Sequence, residues 1–135
     1  MTPLSELVDA YLRYLHEKRE DLYWAWEEVS DLVREQPESA WEVVTALVDQ
    51  AKDRSQLAYI AAGPLEDLIH AHGELFVDRI GVQSRGSAQF RRALRGVWCW
   101  DDLPQDLRAR FQRIPGVPTA LASRRTSRGR TRRRR

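Results

Sequence analysis

The stretch TPLSELVDAYLRYLHE, residues 2–17, decides how the rest of the chain is read. Leu4, Leu7, Val8, Tyr11, Leu12 and Leu15 fall at helical intervals, three or four residues apart or one turn on. They form a single apolar stripe on a 3.6-residue period, the pattern of a helix with one buried face. Thr2 followed by Pro3 has the form of an N-cap and a first helical residue. The spacing predicts a helix that Thr2 caps and that runs to about Glu17.

The same period continues outward. HEKRED at 16–21 is polar and marks a junction. A second helix is expected from about Asp21, with Leu22, Trp26, Val29, Leu32 and Val33 as its stripe. Pro37 ends it, because the residue before a proline is pushed out of the α region. A third helix starts at Pro37 and carries Trp41, Val44, Leu47, Val48 and Ala51. Ser55 has the form of the next N-cap. A short helix then ends at Gly63, and Pro64 opens another with Leu65, Leu68 and Ile69. Gly73 is expected to break the chain again. Leu75–Ile80 forms a segment closing near Gly81, residues 84–87 form a turn, and Phe90, Ala93, Leu94 and Val97 mark a further helix. A last one begins around Pro104 with Leu107 and Phe111.

No stretch alternates with period two, so no strands are expected. The fold class is all-α: an irregular bundle of short antiparallel helices, or helical hairpins, over 1–116. From 117 onward the chain turns to Ser, Thr and Arg, too polar and too highly charged to repay ordering. A disordered basic tail is expected over 117–135.

The formal net charge of +2 hides a strong layout. Residues 1–53 hold 13 acids and five bases, whereas 79–116 hold eight arginines and three acids. The tail adds Arg124, Arg125, Arg128, Arg130, Arg132, Arg133, Arg134 and Arg135, with no acid. One cysteine, Cys99, excludes an internal disulfide and a multi-thiolate metal centre. MTPLSEL at the start has neither a basic nor an apolar signal region, and no apolar run approaches the ~20 residues of a membrane span. The expected location is the cytoplasm, with no membrane partner.

LAYIAAGPLEDLIHAHGELFVDRI at 57–80, FRRALRGVW at 90–98 and WAWEEV at 24–29 carry a resemblance. Together they resemble a family of small bacterial helical proteins known only as a domain of unknown function. The resemblance covers most of 4–100 and leaves out the tail. It implies one all-helical domain and brings no activity, cofactor or site residue.

Three groups of residues invite functional readings. Trp24 and Trp26 are two apart, as are Trp98 and Trp100, so neither pair can face one direction from a helix. One of each pair is expected at the surface, where tryptophan anchors partners. Glu66, His70, His72 and Glu74 form an acid–imidazole row that could bind a divalent metal or move protons, although the spacing matches no established ligand motif. The alternative places His72 at a helix C-terminus before Gly73 and pairs His70 with Glu66. The arginine tail could neutralise phosphates without reading bases, since no aromatic interleaves it.

These features rank three functions. A non-catalytic protein-interaction module, of the immunity or antitoxin kind, comes first, with another protein as partner and no cofactor or bound metal. Non-specific nucleic-acid association through the tail comes second. A metal-dependent or acid–base enzyme around His70 and His72 comes third.

Overall fold

The computed structural model describes residues 2–118. Seven α-helices account for most of them: α1 (Leu4–Glu17), α2 (Tyr23–Glu35), α3 (Pro37–Gln50), α4 (Arg54–Ile60), α5 (Glu66–Gly86), α6 (Ala88–Leu94) and α7 (Gln105–Gln112). No strand occurs among the described residues. The fold is an irregular all-α bundle. The expected tail, with all eight of its arginines, lies outside the described residues apart from Val117 and Pro118. Val117 is buried against the core.

Helix α3 is the hub. Its Val44 and Leu47 are completely buried, and it packs against α1, α2, α4, α5 and α6. Trp41 on its flank stacks on Phe76 of α5 at 5.4 Å between ring centroids and meets Phe90 of α6 edge-on. Outside that stack, Arg79 of α5 grips Glu38 of α3 through two 2.7 Å hydrogen bonds. The guanidinium holds the Glu38 carboxyl below the usual carboxylate range. Both groups are solvent-exposed, so this pair orients the two helices more than it stabilises them.

Several local expectations are corrected. Thr2 does not cap α1; Pro3 occupies the N-cap position without a side-chain bond, and the Thr2 hydroxyl donates to Glu28 of α2 at 2.9 Å. The cap of α4 is Asp53 rather than Ser55. Its carboxylate accepts from the Gln56 N–H at 2.8 Å, while the Gln56 side chain accepts from Lys52 N–H. This is the reciprocal logic of a capping box, and it uses Gln56 a second time to donate to Leu12 O of α1.

Gly63-Pro64 is not a corner. The chain passes through it as a single π-helical turn, Ala61–Leu65, and the helical path continues from α4 into α5. Proline cannot donate a backbone hydrogen bond, and its ring crowds the carbonyl four residues back. Widening by one residue relieves the crowding, and the Glu66 N–H reaches back to Ala61 O.

The break expected at Gly73 is present as a kink one residue earlier, where two helical stretches meet within α5. Only His72 leaves helical geometry, and α5 runs on to Gly86. A side chain at Gly73 would place its Cβ 3.2 Å from both Leu107 and Phe111. The glycine is there so that α7 can lie directly on α5. The turn expected at 84–87 reduces to Ser87, the N-cap of α6. Ser84 is instead buried inside α5, donating to the Pro115 carbonyl.

Candidate functional site

Helix α2 is the element whose exposed surface departs most from an ordinary solvent face. Buried Ala25, Val29 and Val33 attach it to the bundle. Trp26, expected on that stripe, lies at its exposed edge: Trp24 is 39% exposed and Trp26 41%. Ala25 takes the buried place, because α2 begins at Tyr23, after a 3-10 turn at Glu20–Leu22 that rotates the first residues. Tyr23, 41% exposed, stacks on Trp26 at 5.3 Å and meets Tyr14 of α1 edge-on at 5.8 Å. Three rings from two helices thus form an open cluster, and Trp24 stands beside it in sequence.

The opposite flank of α2 borders a groove of about 800 Å³ between the start of α1, α2 and α3. Leu4, Leu7, Leu32 and Val43 supply its apolar surface. Five acids line it, Glu6, Glu28, Asp31, Glu35 and Glu42, and no lysine or arginine does. Asp31 is bonded by Arg34 and Glu28 by Thr2, so two of the five are already oriented. The groove therefore joins an apolar floor to a negative rim, which draws positively charged ligands toward it.

The second tryptophan pair has a different fate. Trp100 is 3% exposed and packs on Phe111 at 5.4 Å. Its indole N–H finds no acceptor among the described residues. Trp98 is half-buried, and its backbone N–H donates to Glu66 at 2.6 Å. The WCW segment is thus clamped from both sides onto α5 and α7.

The acid–imidazole row is dispersed into separate duties. Glu66 holds the Trp98 backbone. His72 sits at the kink that ends the first helical stretch of α5, and its Nε2 donates to Val33 O at 2.7 Å, fastening α5 to the end of α2. His70 and Glu74 are exposed. Among the described residues no group of three or more His, Cys, Asp or Glu side chains is placed to hold a metal ion. Cys99 is buried, and loss of hydration followed by the Glu66 charge pushes its thiol up to about 12. It stays protonated at neutral pH, without nucleophilic character. Among the described residues no helix is long and apolar enough to cross a membrane.

Asp67, which in the sequence reads only as a first-turn acid favoured by the helix dipole, has a further neighbourhood in the fold. It lies beside Glu66 and faces Tyr11 and Trp26 across a small pocket. Tyr11 and Trp26 come from two stretches distant in sequence, so spacing carries no signal for it.

The profile of a family described as "Family of unknown function (DUF6869)" matches residues 14–116. The chain belongs to this family. The DUF6869 match takes in the Tyr14–Tyr23–Trp26 cluster, the π turn and the WCW clamp, and leaves most of α1 and the arginine tail outside. No curated protein and no solved structure matches the chain.

Proposed function

We propose that the protein is a non-catalytic interaction module that docks a basic segment of another protein along α2. The observation that carries this reading is the open aromatic cluster of Tyr14, Tyr23 and Trp26. Exposed, mutually stacked rings are preorganised at low entropic cost, and Trp and Tyr dominate binding hot spots. The groove on the opposite flank of α2 supports the partner's chemistry, since an apolar floor with five acids suits a segment that crosses the helix and alternates Leu- or Val-like residues with Lys or Arg. A phosphate backbone would be repelled there.

Photo-crosslinking tests the reading. A benzophenone amino acid placed at Trp24 should yield one discrete protein adduct in the native host. The crosslinked peptide should be rich in Lys or Arg. The same group at Val82, on exposed α5, should not give it. Equal adducts from both positions, or an acidic contact peptide, would contradict the proposal.

The eight arginines beyond Ser123 favour a second and separable activity, non-specific association with nucleic acid. Eight phosphate contacts would give a log–log salt slope of up to about −7 on duplex DNA. Truncation after Ala122 should abolish binding, and retention of binding by the truncated chain would remove this reading.

A further inference from the structure

Behind Trp26, on the side of α2 away from the acidic groove, lies a pocket of about 60 Å³. Tyr11 of α1, Trp26 and Ser30 of α2, Gly63 and Pro64 of the π turn, and Asp67 of α5 surround it. The π turn makes the pocket possible. It displaces the helix by one residue just where Tyr11 crosses, and Gly63 leaves open the space a side chain would take.

The polar groups lining this pocket share one character. Asp67 offers a carboxylate, and Tyr11 and Ser30 offer hydroxyl oxygens. No lysine or arginine lines it. Tyr11 is 2% exposed and borders the pocket, with its hydroxyl facing Gly63. Burial and the nearby Asp67 charge raise its pKa, so it remains a neutral phenol. Loss of hydration also raises the Asp67 pKa, with the neighbouring His70 acting weakly against it. A carboxylate at the pocket's exposed edge, a buried phenol and an indole around one small space are complementary to a positive group.

We infer that this pocket receives a single cationic head group, an alkylammonium or guanidinium, with Asp67 as its counter-charge. The Tyr11 and Ser30 hydroxyls accept its N–H groups and Trp26 covers it. At this volume there is room for the head group alone, and the alkyl stem leads out past Trp26. The head group belongs either to a Lys or Arg of the docked segment or to a free amine. Only the first source depends on the docking proposed above.

The test is a ¹H–¹⁵N NMR titration of the full chain with n-butylguanidinium, n-butylammonium and the neutral isostere n-butylurea at constant ionic strength. At least one of the two cations should give saturable shifts at the Trp26 indole and around Ser30 and Asp67. Butylurea should bind at least tenfold more weakly. Asp67→Asn should weaken the cation at least tenfold. Gly63→Ala offers a second route, since its Cβ would sit 3.8 Å from the Tyr11 hydroxyl, an ordinary contact that fills space without strain. It should abolish the shifts with the helical circular dichroism unchanged. Absence of saturation would mean the pocket holds water only and would overturn the inference. So would an equal response to butylurea, or indifference to both substitutions. The source is read separately. If Asp67→Asn weakens partner binding at least fivefold, the head group belongs to the docked segment; if the partner is unaffected while cations still bind, it is a free amine. Loss of the docking reading alone, through partner binding insensitive to Trp24→Ala and Trp26→Ala, leaves the cation titration standing.

Discussion

Two segments of this chain share one pattern, Trp-x-Trp, and the structure treats them in opposite ways. WAW at 24–26 opens α2 with both indoles exposed, and WCW at 98–100 closes onto α5 and α7 with Trp100 inside. The difference is not in the tryptophans. At 24–26 the small Ala25 takes the buried position, and a preceding 3-10 turn sets the helix phase so that both rings face outward. At 98–100 the backbone is a 3-10 turn clamped by Glu66, and Phe111 is ready to receive an indole. One pair is placed to meet a partner and the other to hold the fold.

The contrast can be broken by substitution. The largest effect is expected at Trp100→Ala, which empties a buried aromatic site and should cost about 3–5 kcal/mol in chemical denaturation. Trp26→Ala should cost under about 1 kcal/mol of stability, as expected for an exposed side chain. An equal loss at both sites would dissolve the distinction. In partner binding the order reverses: Trp26→Ala should cost about 2 kcal/mol or more, the hot-spot scale, and Trp98→Ala little. Calorimetric titration with the crosslinked partner segment reads this directly.

Close packing at the WCW end gives the next prediction. Gly73→Ala should destabilise by about 1–3 kcal/mol, because its Cβ meets Leu107 and Phe111 at 3.2 Å. Gly63→Ala, beside the α2 face, should be neutral or stabilising.

A further effect is read in alkaline solution, where it grows with pH. Cys99 has its folded pKa raised from 9.0 to about 12, so the folded state keeps a proton that the unfolded state sheds. Stability is therefore full below about pH 9 and falls as pH rises toward 12, by at most about 1.4 kcal/mol per pH unit. The Tyr11 shift has the same sign and adds to the fall at higher pH. Cys99→Ala should flatten the part of the unfolding profile that begins near pH 9. An unchanged profile would show that the thiol is not held away from water.

The helices were legible because their stripes are strong: the Leu4–Leu15 and Trp41–Ala51 patterns match α1 and α3 closely. What misled were the punctuating residues. Gly63-Pro64 looks like a helix end, yet a π turn absorbs the proline; at Gly73 the break is only a kink at His72, and close approach of α7 demands the glycine. Ser55 looked like a cap because it is polar, but Asp53 has Gln56 to reciprocate. For the candidate site, the tryptophan spacing pointed to surface rings without saying which. The Tyr14–Tyr23 contact and the acidic groove depend on how α1 lies across α2, which no local pattern encodes. The row Glu66–His70–His72–Glu74 read as one cluster because sequence proximity was taken for spatial proximity. The kink at His72 turns it toward α2 instead.

The central claim is that α2, with its aromatic cluster on one flank and the acidic groove on the other, docks a basic segment. It is tested most directly by measuring partner affinity with Glu28→Lys and Glu35→Lys combined, against a control reversal of Asp49 and Asp106 elsewhere on the surface. The account predicts at least a tenfold loss for the groove pair, shrinking as salt rises, and less than a twofold change for the control. Equal losses from both pairs, or none from the groove pair, would contradict it.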